Sequence, residues 1–141
     1  MIVLDTNVIS ELMRPAPNTE VVAWVDEWPA EELEVTAITI AEVLYGIARL
    51  DDGQRKETLW ALAQTMFKKE FGERVLPFAA EEAEVYAELV TRRQGQGLPI
   101  SIADAQIAAI AVRRGAVLAT RNSGDFAGLP LEVVNPWEAS D

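Results

Sequence analysis

The chain of 141 residues contains no cysteine and no histidine. Without cysteine there is no disulfide, no thiol nucleophile and no thiolate-bound zinc, and the composition fits a reducing cytoplasm. Without histidine, the side chain that usually shuttles protons near neutral pH is missing too. Any hydrolysis must then run on carboxylates, hydroxyls, lysine or arginine, with a hard metal ion as the natural helper. Long apolar runs are also absent, and none approaches the roughly 20 residues of a membrane span. No basic leader precedes the apolar start, so no secretory signal is expected. Positive charge is scarce: three lysines (Lys56, Lys68, Lys69) stand beside nine arginines, and the net charge is −11. That excludes a general phosphate-binding surface. A nucleic-acid substrate would need local arginine clusters and metal ions, and the acidity also suits a basic protein partner.

Half of the residues are hydrophobic, which argues against disorder and for one domain, residues 1–141, around a single core. Apolar runs and helical periodicities alternate along it. Strands are expected at Ile2–Leu4, Leu33–Ile38, Arg74–Phe78, Ala116–Ala119 and Glu132–Val134. Helices are expected after Asn7, from Asn18 or Thr19, over Thr39–Leu50, over 54–71, over Ala80–Gln94 and over Ser101–Arg114. This alternation predicts an α/β sandwich with a mostly parallel central sheet flanked by helices. Ligands of such folds bind beyond the carboxyl ends of the strands.

Three acids stand alone in apolar surroundings. Asp5 is the only charge in residues 1–10, Glu42 the only one in 35–48, and Asp104 the only one in 100–112. Removing a carboxylate from water costs several kcal/mol unless something compensates, and one divalent cation can compensate all three. Capping offers a second explanation for each. Thr39–Ile40–Ala41–Glu42 has the form of a capping box, Ser101–Ile102–Ala103–Asp104 the related Ser-x-x-Asp form, and Asp5 suits a turn or the cap of the first helix. Capping does not explain the apolar surroundings. All three acids also fall at one expected edge of the sheet, which favours a shared site. Elsewhere, Arg92–Arg93 and Arg113–Arg114 end helices, where cations are stabilised. The four tryptophans read as core or interface anchors, and Glu31–Glu32 and Glu81–Glu82 as solvated faces.

The motifs resemble a known family. Ile2-Val-Leu-Asp5-Thr6-Asn7, Ala41-Glu42-Val-Leu-Tyr-Gly46, Ala103-Asp104-Ala-Gln-Ile-Ala108 and Ala119-Thr-Arg-Asn-Ser-Gly-Asp-Phe126 look, in that order, like the four motifs of PIN-domain nucleases. The closing Asn135-Pro136-Trp137 is similar to the FitB-like branch of VapC toxins. The resemblance implies a PIN fold and a toxin ribonuclease using Mg2+ or Mn2+. It also implies a homodimer, inhibited by a small cognate antitoxin through which alone it would meet operator DNA. Asp5, Glu42 and Asp104 take the family's acidic positions. Asp5 and Asp104 would hold the principal cation, and Glu42 would bind metal or orient the attacking water. The fourth position, often aspartate in this branch, is Asn122, so Asp125 is the alternative donor. Thr6, Ser101 and Thr120 are candidates to position waters or the acids themselves. The rival readings are an aspartyl-phosphate enzyme and a PIN-like module without chemistry that binds an antitoxin and operator. The first expects Asp-x-Asp where Asp5-Thr6-Asn7 stands, and a lysine after Lys69, where there is none.

Overall fold

The computed structural model describes residues 1–138. Strands β1 (Ile2–Leu4), β2 (Leu33–Thr36), β3 (Val75–Leu76), β4 (Val117–Ala119) and β5 (Val133–Val134) alternate with six helices. These are α1 (Thr6–Leu12), α2 (Thr19–Asp26), α3 (Ala37–Ala48), α4 (Gln54–Thr65), α5 (Ala80–Gly95) and α6 (Ile102–Arg114). The sheet runs in the order β3-β2-β1-β4-β5, and every neighbouring pair is parallel. The α/β sandwich with a parallel central sheet, expected from the alternation of runs, is therefore present. Strand order reverses at β1, whose neighbours are β2 on one side and β4 on the other. The carboxyl ends of β1 and β4 thus border the crevice where such sheets take ligands.

Because side chains alternate across a strand, β1 feeds both faces of the sheet. Ile2 and Leu4 join one buried cluster with Val8, Ile9, Val21, Trp24, Val43, Ile47, Ala63 and Phe67. Val3 joins the other with Leu89, the run Ile107–Ala111 and Leu118. Helices α1 to α4 therefore cover one face, and α5 and α6 the other. Helix α6 buries Ala105 and every residue from Ile107 to Ala111, as its apolar sequence leads one to expect. Gly115 then closes it at φ 64°, a left-handed conformation that glycine adopts without penalty.

Several boundaries differ from the sequence expectation. Strand β2 stops at Thr36 rather than Ile38, and α3 starts at Ala37 because the Thr36 hydroxyl accepts the Thr39 amide at 3.0 Å. The amphipathic segment 54–71 is α-helical only to Thr65, then widens into a π turn over Met66–Phe71. Strands β3 and β5 are two residues each, shorter than the runs that suggested them.

Glu82 is not a solvated acid. It is buried, accepts the Ala79 amide at 3.0 Å and lies 3.0 Å from Arg113 Nε. Arg93 is also buried, and its guanidinium donates to the carbonyls of Leu98, Asp125 and Ala127, a structural role. Trp24 is in the core, with Trp28 packed against it at a centroid distance of 5.9 Å. No described helix is long and apolar enough to cross a membrane.

Candidate active site

The site is assembled where the chain leaves β1, β2 and β4 and where α6 begins. Asp5 follows β1 directly with an extended backbone and caps α1: its Oδ1 accepts the Thr6 amide at 2.8 Å. Its own amide donates to the Ala119 carbonyl at 2.9 Å, tying the ends of β1 and β4 together. The Thr120 hydroxyl donates to Oδ2 at 2.7 Å. Thr120 is fully buried, and its oxygen also accepts from Asn7 Nδ2 at 3.1 Å and from the Asn122 amide at 3.2 Å. One threonine therefore fixes the first acid and the start of the fourth motif.

Glu42 lies on the exposed side of α3. Its Oε1 accepts the Thr6 hydroxyl at 2.6 Å, and the Thr6 and Thr39 hydroxyl oxygens are 3.1 Å apart. The capping box expected at Thr39–Glu42 does not form, because Thr36 supplies the cap and Thr39 lies inside the helix. With no cap to serve, Glu42 engages Thr6 across 36 positions of sequence. Asp104 lies in the first turn of α6, where Ser101 is the N-cap and its Oγ accepts the Asp104 amide at 3.1 Å. The capping expectation for Asp5 and for Ser101 thus holds together with convergence on one site.

All three carboxylates line a single open cavity of about 540 Å3, with Thr6, Asn7, Ser10, Glu11, Arg14, Arg121, Asn122 and Trp137. Asn122 is on this wall, whereas Asp125 is not among the lining residues. Ser101 and Thr120 are not among the lining residues: buried Thr120 holds the Asp5 carboxylate, and exposed Ser101 caps the helix that carries Asp104.

Electrostatics mark the same place. Burial pushes the Asp5 carboxyl up from 3.8 to about 6, and the charges of Asp104 and Glu42 add to the rise. The hydrogen bonds from Thr120 and Thr6 oppose it. Asp104 is also raised, first by burial and then by the charges of Asp125 and Glu42, against the Ser101 hydroxyl and Arg93. Carboxylates that resist ionisation because they are buried, with like charges nearby, are suited to share a cation.

Sequence reasoning missed Glu11 and Arg14. Glu11 is buried in the cavity wall, accepts the Asn18 amide at 2.9 Å and lies 3.3 Å from Arg14 Nη1. The Asn18 amide, with Arg14 beside it, holds this carboxyl below the usual range. The i,i+3 spacing to Arg14 was the only available signal, and such pairs are common on solvated helices.

The donors present fit a hard cation: oxygen only, from carboxylates and an amide, with no imidazole or sulfur. Among the described residues, no three acidic side chains are gathered tightly enough to encircle an ion by themselves. Mg2+ does not require that, since it usually keeps several waters and binds through one or two carboxylates.

Comparison with known proteins places the chain. The PIN domain family model matches residues 2–130. The chain belongs to the PIN-domain family. Over 99% of its length it is 43% identical to the plasmid stability protein StbB of Pseudomonas syringae pv. tomato, of which it covers 100%. It is 41% identical to the toxin FitB of Neisseria gonorrhoeae over 97% of this chain and 99% of that one. It is 40% identical to the VapC ribonuclease Y4jK of Sinorhizobium fredii over 98% of this chain and 99% of that one. Among solved structures, FitAB bound to the IR36 DNA fragment superposes with a TM-score of 0.93 at 40% identity, covering 100% of this chain and 99% of that one. The VapC and FitB-like resemblance read from the motifs is therefore correct. In this PIN domain each of the four motif segments contributes to the cavity wall, and Trp137, beyond the matched range, completes it.

Proposed function

We propose that this PIN domain is a metal-dependent endoribonuclease, the toxin of a toxin–antitoxin pair. The observation that carries the reading is the convergence of Asp5, Glu42 and Asp104, from three distant segments, on one cavity. Its relatives named as a VapC ribonuclease and a toxin support the same activity. Asp5 and Asp104 would hold Mg2+ or Mn2+, with the Asn122 amide as a neutral auxiliary donor and Asp125 acting through its charge. A bound divalent cation supplies positive charge to the phosphoryl oxygens and acidifies a coordinated water.

The protein's own groups do the remaining work. Thr120 and the Thr6 amide orient the Asp5 carboxylate, leaving lone pairs free on the cavity side. The Thr6 hydroxyl holds Glu42 Oε1, and the other oxygen can accept a proton from the attacking water. Ser101 fixes the start of α6 and with it Asp104. With water as nucleophile, its oxygen would bond to phosphorus as the bridging P–O bond breaks, the departing oxygen taking a proton from solvent, so that no covalent enzyme intermediate forms.

FitAB is a complex bound to a DNA fragment, which supports a small antitoxin partner here; in this proposal operator DNA is met only through that partner. A homodimer working in the cytoplasm, with an RNA substrate, completes the proposal.

The test is purified, partner-free chain incubated with structured RNAs in Mg2+, Mn2+ or chelator. Cleavage that needs metal and disappears in Asp5→Ala supports the reading. Full activity in that variant removes Asp5 from the mechanism.

A second reading rests on Asn122, which brings an uncharged amide where a fourth acid would strengthen metal binding. In that reading the chain binds antitoxin and operator complex without cutting RNA. Absence of cleavage under every metal condition, with antitoxin binding intact, would select it.

A further inference from the structure

The cavity has a cationic side as well as an acidic one. Arg14 and Arg121 both line it, with Glu11 and the three carboxylates. They are not equivalent. Arg14 is ion-paired to Glu11, whereas the Arg121 guanidinium makes no ion pair among the described residues and reaches Glu11 only through its longer-range charge. The other well-placed arginines are committed as well: Arg93 and Arg74 to backbone carbonyls, Arg113 to Glu81 and Glu82.

Arg121 is instead held in place by its surroundings. Its amide donates to Asn7 Oδ1 at 3.1 Å, and its carbonyl accepts from Asn135 Nδ2 at 3.3 Å. Asn135 Oδ1 also accepts the Trp137 amide at 2.9 Å, which sets the tryptophan beside the arginine. The guanidinium then lies over the Trp137 ring, 5.2 Å from its centroid. A guanidinium stacked by its face keeps its N–H edge available, and that edge matches two oxygens of a phosphate. In a chain of net charge −11, an arginine fixed at this cavity without an ion pair is available to an anionic ligand.

We infer that Arg121 binds a phosphate of the RNA substrate through its guanidinium edge, and that Trp137 is the residue that positions it. The substrate phosphate thereby lies between the carboxylates and Arg121, with Arg14 contributing only the charge left after pairing with Glu11. This rests on the ribonuclease reading above and adds the residues that place the substrate.

Two measurements on the full chain test it: steady-state cleavage of a single-stranded RNA in Mn2+, and binding of the same RNA across a salt series. Arg121→Gln and Arg121→Lys should each raise KM roughly tenfold, because lysine keeps the charge but not the two-pronged edge. For both variants kcat should stay within about twofold, the pattern of lost ground-state binding. The slope of log Kd against log salt should drop by about 0.7 in Arg121→Gln and stay in Arg121→Lys. Trp137→Leu should raise KM severalfold in the native background and add nothing to Arg121→Gln, a coupling that a merely structural tryptophan would not show.

Metal-dependent cleavage with KM and salt slope unchanged in Arg121→Gln overturns the phosphate contact alone. Wild-type binding without cleavage, with the slope reduced in Arg121→Gln, overturns the ribonuclease reading and upholds the contact. Wild-type chain that neither binds nor cleaves RNA, with or without metal, overturns both.

Discussion

Thr120 and Asp5, 115 positions apart, meet in a 2.7 Å hydrogen bond between a buried hydroxyl and a buried carboxylate. This contact joins the ends of the two central strands and stabilises the charged form of an acid that burial disfavours. Replacing Thr120 with Val keeps the shape and removes the donor. It also leaves Asn7 Nδ2 and the Asn122 amide without their acceptor. The expected loss is about 1–3 kcal/mol, read by chemical denaturation at pH 7. The Asp5 pKa should rise further, moving the acid limb of the pH–rate profile to higher pH. A variant with unchanged stability and profile would show that the hydroxyl does neither.

Asp5 also sets a pH dependence of stability. Its folded pKa, about 6, lies above the ordinary 3.8, so the folded state binds the proton more tightly. Its contribution is therefore fully present below the unfolded value and is lost as pH rises through about 6. The full effect is at most about 3 kcal/mol. Asp104 acts in the same direction. Glu11, held low by the Asn18 amide, acts oppositely, and its contribution falls away only in acid below the usual carboxylate range. Metal-free protein in EDTA should thus gain thermal stability from pH 7.5 to pH 5. A Tm that falls over this interval would contradict the assignment.

Thr6 holds Glu42 by a 2.6 Å bond on the open side of the cavity. Thr6→Val should lower kcat roughly 10- to 100-fold, the usual effect of removing a partner that orients a ligand or base. Tm should move little, since Glu42 is exposed. Steady-state kinetics beside a melting curve separates these, and a large loss of Tm with intact kcat would make Thr6 structural.

Arg93 makes the opposite prediction. Its guanidinium satisfies the carbonyl of Leu98, before α6, and those of Asp125 and Ala127, after β4. Arg93→Met should destabilise by about 2–4 kcal/mol, and the salt slope of RNA binding should remain unchanged. A reduced slope at native stability would instead make it an RNA contact.

The sequence made some of this legible, and the reasons are physical. Strand β1 and helix α6 were readable because burial on every side leaves an unbroken apolar run. The acids stood out for the same reason, being single charges inside such runs. The start of α3 was misplaced because Ile38 and Ile40 suit a strand as well as a helix, and only the Thr36–Thr39 bond decides between them. The π turn at Met66–Phe71 left no pattern to read. Glu82 read as a solvated acid, and Glu11 gave no signal, because their partners Arg113 and the Asn18 amide are contacts made by folding. Arg121 was visible as a residue, but its placement over Trp137 was not.

The central claim is that Asp5 and Asp104 hold a divalent cation in this cavity. Crystals grown with Mn2+ and measured near the manganese absorption edge test it most directly. The account predicts an anomalous peak at about 2.0–2.3 Å from oxygens of Asp5 and Asp104, distances suited to a small hard cation. It also predicts that the peak vanishes in Asp104→Asn. A cavity without a peak at saturating Mn2+, or a peak ligated elsewhere, would contradict it.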